Sequence, residues 1–271
     1  MRTLFENRWA LVTGASSGLG AELARRLAEQ GAHLALTARS RDRLDDLASD
    51  LSRVNGIQTR VVCADLARPD GTDVLLGGVR ELGVPIAHLV NSAGFGSNGA
   101  FAELDASRES AMVELNVSAL VRLTRALLPA MVAAREGGVL NVASTVAFQP
   151  VPYMATYAAT KAFVVSFTLA LATELEGSGV RAMALCPGPV RTGFQAAAGI
   201  ARPGLPIAVL TAQRTVADGL EAYARGEHVF VPGVVNALQV RATRLLPTAL
   251  ATWAAKRTMQ RLGRAPKRLR G

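Results

Sequence analysis

The sequence predicts a doubly wound α/β fold: a parallel sheet of about seven strands with helices on both faces. Three observations carry this expectation. Short apolar runs alternate with helical patterns along most of the chain. A glycine-rich turn joins the first such run to an amphipathic helix. The 271 residues, 50% of them hydrophobic, suffice for one large core without a second domain.

The strand patterns fall at about Trp9 to Thr13, His33 to Ala38, Thr59 to Ala64, Ile86 to Asn91, Val139 to Ser144, Val180 to Cys186 and His228 to Val231. The expected order in the sheet is 3-2-1-4-5-6-7, which puts binding at the carboxyl ends of the strands near the reversal of that order. Helical patterns run from Ala21 to Gln30, from about Ala106 to Arg135 and from Ala155 to Glu176, with two shorter ones between Val234 and Leu262 interrupted at Pro247. We find no internal repeat and no low-complexity stretch. Residues 1–233 read as one domain and residues 234–271 as a basic helical extension.

Cys63 and Cys186 lie in or at the end of separate predicted strands, so they read as reduced core residues and not as a disulfide or metal pair. His33, His88 and His228 also sit in or near separate strands and read as ordinary core or strand-end residues, with no metal site expected. The first residues lack the apolar core of a secretory signal, and no segment approaches the roughly 18 continuous apolar residues of a membrane span. A cytoplasmic location is expected.

The run Trp9-Ala-Leu-Val-Thr13 leads straight into Gly14-Ala-Ser-Ser-Gly18-Leu-Gly20 and then into the first helix. Strand, glycine turn and helix together form a nucleotide site. Glycines let the backbone approach a pyrophosphate, and the first helical N–H groups with the helix dipole hold its charge. The glycines fall as G-x-x-x-G-x-G, which departs from the G-x-G-x-x-G fingerprint.

Further along, Tyr157 and Lys161 stand four residues apart in an Ala- and Leu-rich helical pattern, and so share one face. A cation one turn away favours the phenolate, so Lys161 is expected to lower the Tyr157 pKa and make it a usable general acid. Ser144 closes the fifth apolar run, where its hydroxyl can hold and polarise a substrate carbonyl beside that Tyr.

These residues resemble the short-chain dehydrogenase/reductase family in its single-domain form, from roughly Arg8 to Gly233. Thr13-Gly14-x-x-x-Gly18-x-Gly20 is similar to the family's dinucleotide motif. Asp65, followed by Leu66, resembles its adenine-contacting Asp, and Asn91-Ser-Ala-Gly94 resembles its Asn-Asn-Ala-Gly with Ser92 in place of the second Asn. Pro187-Gly188-Pro-Val190-Arg-Thr192 resembles the loop that holds the nicotinamide amide. The resemblance implies a Rossmann fold and a catalytic tetrad of Asn116, Ser144, Tyr157 and Lys161, with Asn116 holding a proton-relay water. It also implies cofactor contacts from Gly14, Ser16, Ser17, Gly18, Leu19, Gly20, Arg39, Asp65, Leu66, Asn91, Ala93, Gly94, Tyr157, Lys161, Pro187, Gly188, Val190 and Thr192. The reaction implied is transfer of the pro-S hydride of the reduced cofactor to a carbonyl.

The second strand pattern runs into Arg39-Ser-Arg41-Asp-Arg43. An acid there would bond a ribose 2′-hydroxyl and repel a phosphate, whereas basic side chains neutralise a 2′-phosphate. The expected cofactor is therefore NADP(H), with Arg39 as the first contact and Ser16, Ser40 or Arg43 assisting.

The substrate pocket is expected from Thr145 to Met154 and from Gly193 to Arg214, with Phe95, Phe148, Val151, Tyr153, Phe194, Ile207 and Leu210 making it apolar. A hydrophobic carbonyl or alcohol fits such a lining better than a small carboxylated or phosphorylated substrate. The expected activity is an NADP(H)-dependent oxidoreductase. Two other readings of the same residues are a non-catalytic nucleotide-binding sensor and a sugar-nucleotide epimerase or dehydratase. The helices at Ala106 to Arg135 and Ala155 to Glu176 resemble those through which the family forms dimers and tetramers.

The chain carries a formal net charge of +9, from 30 Lys and Arg against 21 Asp and Glu. From His228 onwards stand Arg241, Arg244, Lys256, Arg257, Arg261, Arg264, Lys267, Arg268 and Arg270, and no acid. Removing those nine from the 30 basic residues leaves 21 against 21, so the whole excess lies in the tail. There the basic residues interleave with Leu238, Val240, Leu245, Leu246, Leu250, Trp253, Met259 and Leu262. Such helices can cover a substrate cleft, pack on a neighbouring subunit, or lie peripherally on an anionic membrane surface; no nucleic-acid partner is expected.

Overall fold

Every residue of strand β1, Trp9–Thr13, is buried, as a strand covered on both faces of a parallel sheet requires. Its side chains divide with the period of two that a strand imposes. Ala10 and Val12 join one core cluster, while Trp9 and Leu11 join another on the opposite face. The remaining strands are β2 (His33–Thr37), β3 (Thr59–Val61), β4 (Ile86–Asn91), β5 (Gly138–Val142), β6 (Arg181–Leu185) and β7 (Val229–Phe230). The computed structural model, which describes residues 4–199 and 209–262, orders them β3-β2-β1-β4-β5-β6-β7, all pairs parallel. This is the expected order, with the reversal between β1 and β4.

Between the strands lie α1 (Gly18–Glu29), α2 (Arg41–Asn55), α3 (Gly71–Glu81), α4 (Ala106–Val113), α5 (Ala119–Ala134), α6 (Ala155–Glu174), the single turn α7 (Phe194–Ala197) and α8 (Ala212–Ala224). Leu23 and Leu27 of α1, Leu44 and Leu51 of α2 and Val216 and Leu220 of α8 cover one face of the sheet. Leu75 and Val79 of α3, Leu123 and Met131 of α5 and Leu171 of α6 cover the other. Two further helices, α9 (Val234–Leu245) and α10 (Thr248–Leu262), break at Pro247, as the sequence predicts.

The structure differs from the expected elements in three places. The strand expected to reach Ala64 ends at Val61, although Val62 N and Ala64 N still donate to the Leu36 and Ala38 carbonyls at 3.0 and 3.2 Å. Cys63 is therefore half-buried outside the sheet, its thiol donating to the Arg39 carbonyl at 3.3 Å, and only Cys186 is a core residue. The long helix expected over Ala106 to Arg135 is split by a π-helical turn, Glu114–Ser118.

By length and composition, 106–134 and Ala155–Glu174 could cross a membrane, yet α5 and α6 face the sheet through Leu123, Met131 and Leu171. Ile207, expected in the substrate pocket, and Arg264, Lys267, Arg268 and Arg270 of the tail lie outside the described residues.

Candidate active site

The turns that follow β1 and β4 are tied together by one side chain. Thr13 Oγ1 accepts the backbone N–H groups of Ser92 and Ala93, each at 3.0 Å. At Gly14 the backbone has φ +67°, and a Cβ there would lie 2.8 Å from Ala93 Cα. At Gly20 a Cβ would lie 2.2 Å from the Gly14 carbonyl oxygen. Side chains at these two positions would collide with the backbone of the turns after β1 and β4, and so break the packing that shapes the cradle in front of the α1 amino terminus. The Ser17 side chain makes no capping bond there, so the first N–H groups of α1 face the cavity as an anion site.

That cradle is one end of a cavity of about 910 Å³. Ser16, Ser17, Gly18, Leu19 and Gly20 line it, followed by Arg39, Ser40 and Arg43 at the end of β2 and the start of α2. Among the described residues no acid forms an ion pair with Arg39 or Arg43, so their charge is available to an anion. Asp65 and Leu66 form the adjoining wall, with Asp65 Oδ1 accepting from Ala67 N at 3.1 Å. Ala93, Gly94, Pro187, Gly188, Val190 and Thr192 continue the lining. This arrangement fits a dinucleotide carrying an extra phosphate.

At the inner end, α6 presents Tyr157 and Lys161 one turn apart, both buried. Lys161 Nζ donates to the Val142 carbonyl at 2.8 Å and lies 5.8 Å from the Tyr157 ring centroid. Ser144, extended at the end of β5, accepts Val146 N at 3.3 Å and donates to the Pro187 carbonyl at 3.5 Å. All three line the same cavity.

Burial dominates the electrostatics of this group of residues. Burial pushes the Tyr157 phenol up, and the downward pull comes from the Ser144 hydroxyl. Burial draws the neighbouring Lys161 ammonium down to about 8, and its Nζ donates to the Val142 carbonyl. The same burial raises Cys186 to about 12, which keeps the neighbouring thiol neutral.

Two of the predicted site residues sit behind the lining. Asn91 donates to Asn141 Oδ1 at 2.8 Å and to Thr124 Oγ1 at 3.4 Å, so its amide joins β4 to β5 and α5 and does not reach the cavity. Asn116, on the π-turn, donates to the Phe95 carbonyl and to Thr160 Oγ1, both at 3.1 Å, and accepts Phe95 N at 3.3 Å. Gly94 lies where Asn116 and Lys161 converge: a Cβ there would be 3.0 Å from Asn116 Oδ1 and 3.5 Å from Lys161 Nζ. Asn116 thus braces the wall beside Lys161. π-turns of this kind recur at functional sites.

Of the expected pocket residues, Phe95, Phe148, Val151 and Phe194 line the cavity. Tyr153 does not; it has φ +71° and its hydroxyl accepts from Gln260 Nε2 at 3.3 Å. Leu210 instead pairs its backbone with the loop at Val190.

Several contributors escaped the sequence reading. Arg108 donates to the carbonyls of Gly96 and Ala197 at 3.2 and 3.0 Å, pinning α7 to the cavity rim. Asn236 of α9 is buried against Gly188, where a Cβ would lie 2.8 Å from its amide. Val240 of α9 and Ala251, Ala255 and Met259 of α10 wall the cavity, which agrees with the expectation that the tail helices cover a substrate cleft. The i, i+4, i+8 spacing of those last three was the available signal. His88 is also not an isolated core residue: its Nδ1 lies 3.1 Å from the buried Tyr223 hydroxyl. Among the described residues no cluster of three or more His, Cys, Asp or Glu is placed to hold a metal.

Comparison with known proteins agrees with this architecture. The chain is 33% identical over 190 residues to a very-long-chain 3-oxoacyl-CoA reductase of Anas platyrhynchos, covering 68% of this chain and 60% of that protein. It therefore spans about three-fifths of the length of that curated relative. Among solved structures, a short-chain dehydrogenase from Sphingobium yanoikuyae in complex with NADPH superposes with a TM-score of 0.80 at 36% identity, covering 87% of this chain and 91% of that one. The bulky-bulky ketone specific alcohol dehydrogenase from Comamonas testosteroni gives a TM-score of 0.74 at 31% identity, covering 89% and 96%. Residues 8–202 match the sequence model of the short chain dehydrogenases, and with the same sheet, glycine cradle and Tyr157–Lys161 helix in place, the chain belongs to that family.

Proposed function

We propose that the chain is an NADP(H)-dependent oxidoreductase that moves hydride between the nicotinamide and a hydrophobic carbonyl or alcohol. One observation carries this reading: Ser144, Tyr157 and Lys161 line the same cavity as the glycine cradle and Arg39 and Arg43, which form no ion pair among the described residues. The NADPH of the Sphingobium structure supports the cofactor. The names of the reductase and ketone-specific relatives support a carbonyl substrate.

When bound, the cofactor supplies the hydride. The chain's own residues do the rest. The α1 amino terminus binds the pyrophosphate, and Arg39, assisted by Arg43, binds the 2′-phosphate. Ser144 donates a hydrogen bond to the carbonyl oxygen, and Tyr157 gives its phenolic proton to that oxygen. Burial keeps the Tyr157 phenol protonated until the carbonyl oxygen takes the proton. Lys161 stabilises the phenolate that remains and bonds the nicotinamide ribose. Asn116 holds the wall beside Lys161 and supports the relay that returns the proton. Reduction and oxidation are both open to this machinery.

Residues 1–233 make the catalytic domain, and α9 and α10 complete its pocket. Phe95, Phe148, Val151 and Phe194 with Val240, Ala251 and Met259 make the substrate end apolar. We also infer a homodimer or homotetramer, supported by exposed Val113 and Val132 at the ends of α4 and α5 and by exposed Phe163 and Leu169 on α6.

The test follows NADPH oxidation by absorbance against a panel of hydrophobic ketones and aldehydes. Turnover that requires Tyr157 supports the reading. NADPH binding without turnover across the panel would favour a nucleotide sensor.

A further inference from the structure

The last two helices carry apolar side chains on both faces. Their inner faces bury Val240 on α9 and Ala251, Ala255 and Met259 on α10 against the cavity. Outward, α9 exposes Val234, Leu238, Arg241 and Leu245, at i, i+4, i+7 and i+11. On α10, Leu250, Trp253, Arg257 and Arg261 are exposed at i, i+3, i+7 and i+11. Each set forms one stripe of a helix. Leu245 is 87% exposed, Val234 77% and Trp253 52%. A lid that met only water would not keep leucine, valine and tryptophan on its outside.

Charge narrows what covers that surface. Arg241, Arg244, Lys256, Arg257 and Arg261 stand on these helices with no Asp or Glu. Among the described residues none of the five forms an ion pair. The Arg257 guanidinium instead lies 4.5 Å over the Trp253 ring. A second copy of the chain meeting this face in two-fold symmetry would oppose cations to cations. Nucleic acid would use the bases but leave the apolar stripe in water. An anionic lipid surface accommodates both, with apolar side chains entering the boundary between headgroups and acyl chains and arginines and lysines staying among the headgroups.

We propose that α9 and α10 form a lipid-docking lid, whose exposed stripes seat on an anionic lipid surface while their inner faces close the cavity. Gln239, Leu246 and Ala254 are exposed and also line the cavity, so its mouth opens where the lid meets the lipid. Docking is independent of the proposed hydride transfer; only the delivery of an apolar substrate from the lipid rests on that reading.

The experiment mixes the full chain with vesicles of phosphatidylcholine alone or of phosphatidylcholine with phosphatidylglycerol. Co-sedimentation and tryptophan emission are read together. Trp9 is buried and Trp253 exposed, so a shift of the emission to shorter wavelength reports Trp253 entering the lipid. The proposal expects pelleting with the anionic vesicles only, weakened by salt, with that blue shift. The double variant Leu238→Asp, Trp253→Asp is expected to pellet at least about tenfold less, since each change puts a carboxylate in the boundary layer, while binding NADPH as the wild type does. Any of three results overturns it: no pelleting with anionic vesicles, equal pelleting by the variant, or a wild-type oligomer that the variant splits without any vesicle binding. NADPH titration of both proteins shows that each is folded, and it needs no turnover, so failure of docking is distinguishable from failure of the redox reading.

Discussion

Lys161 Nζ is held 2.8 Å from the Val142 carbonyl oxygen, inside the core and one helical turn on from Tyr157. Burial brings this ammonium down to about 8 and sends the Tyr157 phenol the other way, so Lys161 is the member of the pair that titrates near working pH. It is charged below about 8 and neutral above. NADPH-dependent kcat/KM is therefore expected to fall as pH rises through about 8. Lys161→Arg, whose guanidinium stays charged, is expected to move that fall to higher pH. A pH profile of both enzymes checks this, and an unchanged descending limb in the variant would sink it.

Tyr157→Phe removes only the phenolic hydroxyl and leaves the ring, whose centroid lies 5.3 Å from that of Phe194. The expected result is a fall in kcat of roughly 10²–10⁴-fold, the span typical of a lost general acid, with NADPH affinity kept. Steady-state rates and a fluorescence titration measure the two quantities separately. Wild-type turnover by the variant would remove Tyr157 from the proton transfer.

Arg39→Ala is expected to weaken NADPH binding by roughly 10- to 100-fold, since a charge-assisted hydrogen bond contributes about 1.5–3 kcal/mol. NADH, which lacks the 2′-phosphate, should bind the variant and the wild type alike. Equal loss for both cofactors would mean that Arg39 serves the turn after β2 and not the phosphate.

His88 supplies a stability prediction. Burial pushes it down to about 4, whereas in the unfolded chain it titrates near ~6.5. Between those values the unfolded state binds the extra proton, so stability is full above about 6.5 and is lost as pH falls towards about 4. The loss is on the order of 3 kcal/mol. Thermal melts from neutral to acid pH should show it, and His88→Asn should flatten that segment. Parallel curves for the two proteins would contradict the assignment.

Phe163 stacks on Phe167 at 5.9 Å between centroids while staying exposed on α6. Phe163→Asp is expected to shift the protein to a smaller species in sedimentation velocity. No shift would place the subunit contact elsewhere.

The Tyr157–Lys161 pair and the cradle from Gly14 to Gly20 were legible in the sequence because each depends on spacing within one or two consecutive elements. Asn91 was not, although it ends β4 in the expected place. Its amide is drawn into the sheet by Asn141 and Thr124, partners 50 and 33 residues away. Asn116 was identified by position, but the π-turn that carries it interrupts a pattern that reads as continuous helix.

Local periodicity therefore determined most of the elements and the residues at the strand ends, since a period of two or of 3.6 decides which side chains share a face before any long-range contact forms, and the alternation of strand with helix implied the parallel sheet. Tertiary structure alone decided two other matters. Desolvation, which depends on every element packed around a group, set the proton affinities of Tyr157, Lys161 and His88 against what their sequence neighbours suggest. Chain closure brought α9 and α10 back over the cavity, so a tail that reads as a basic amphipathic segment became a wall of the pocket on one side and an apolar, cationic surface on the other.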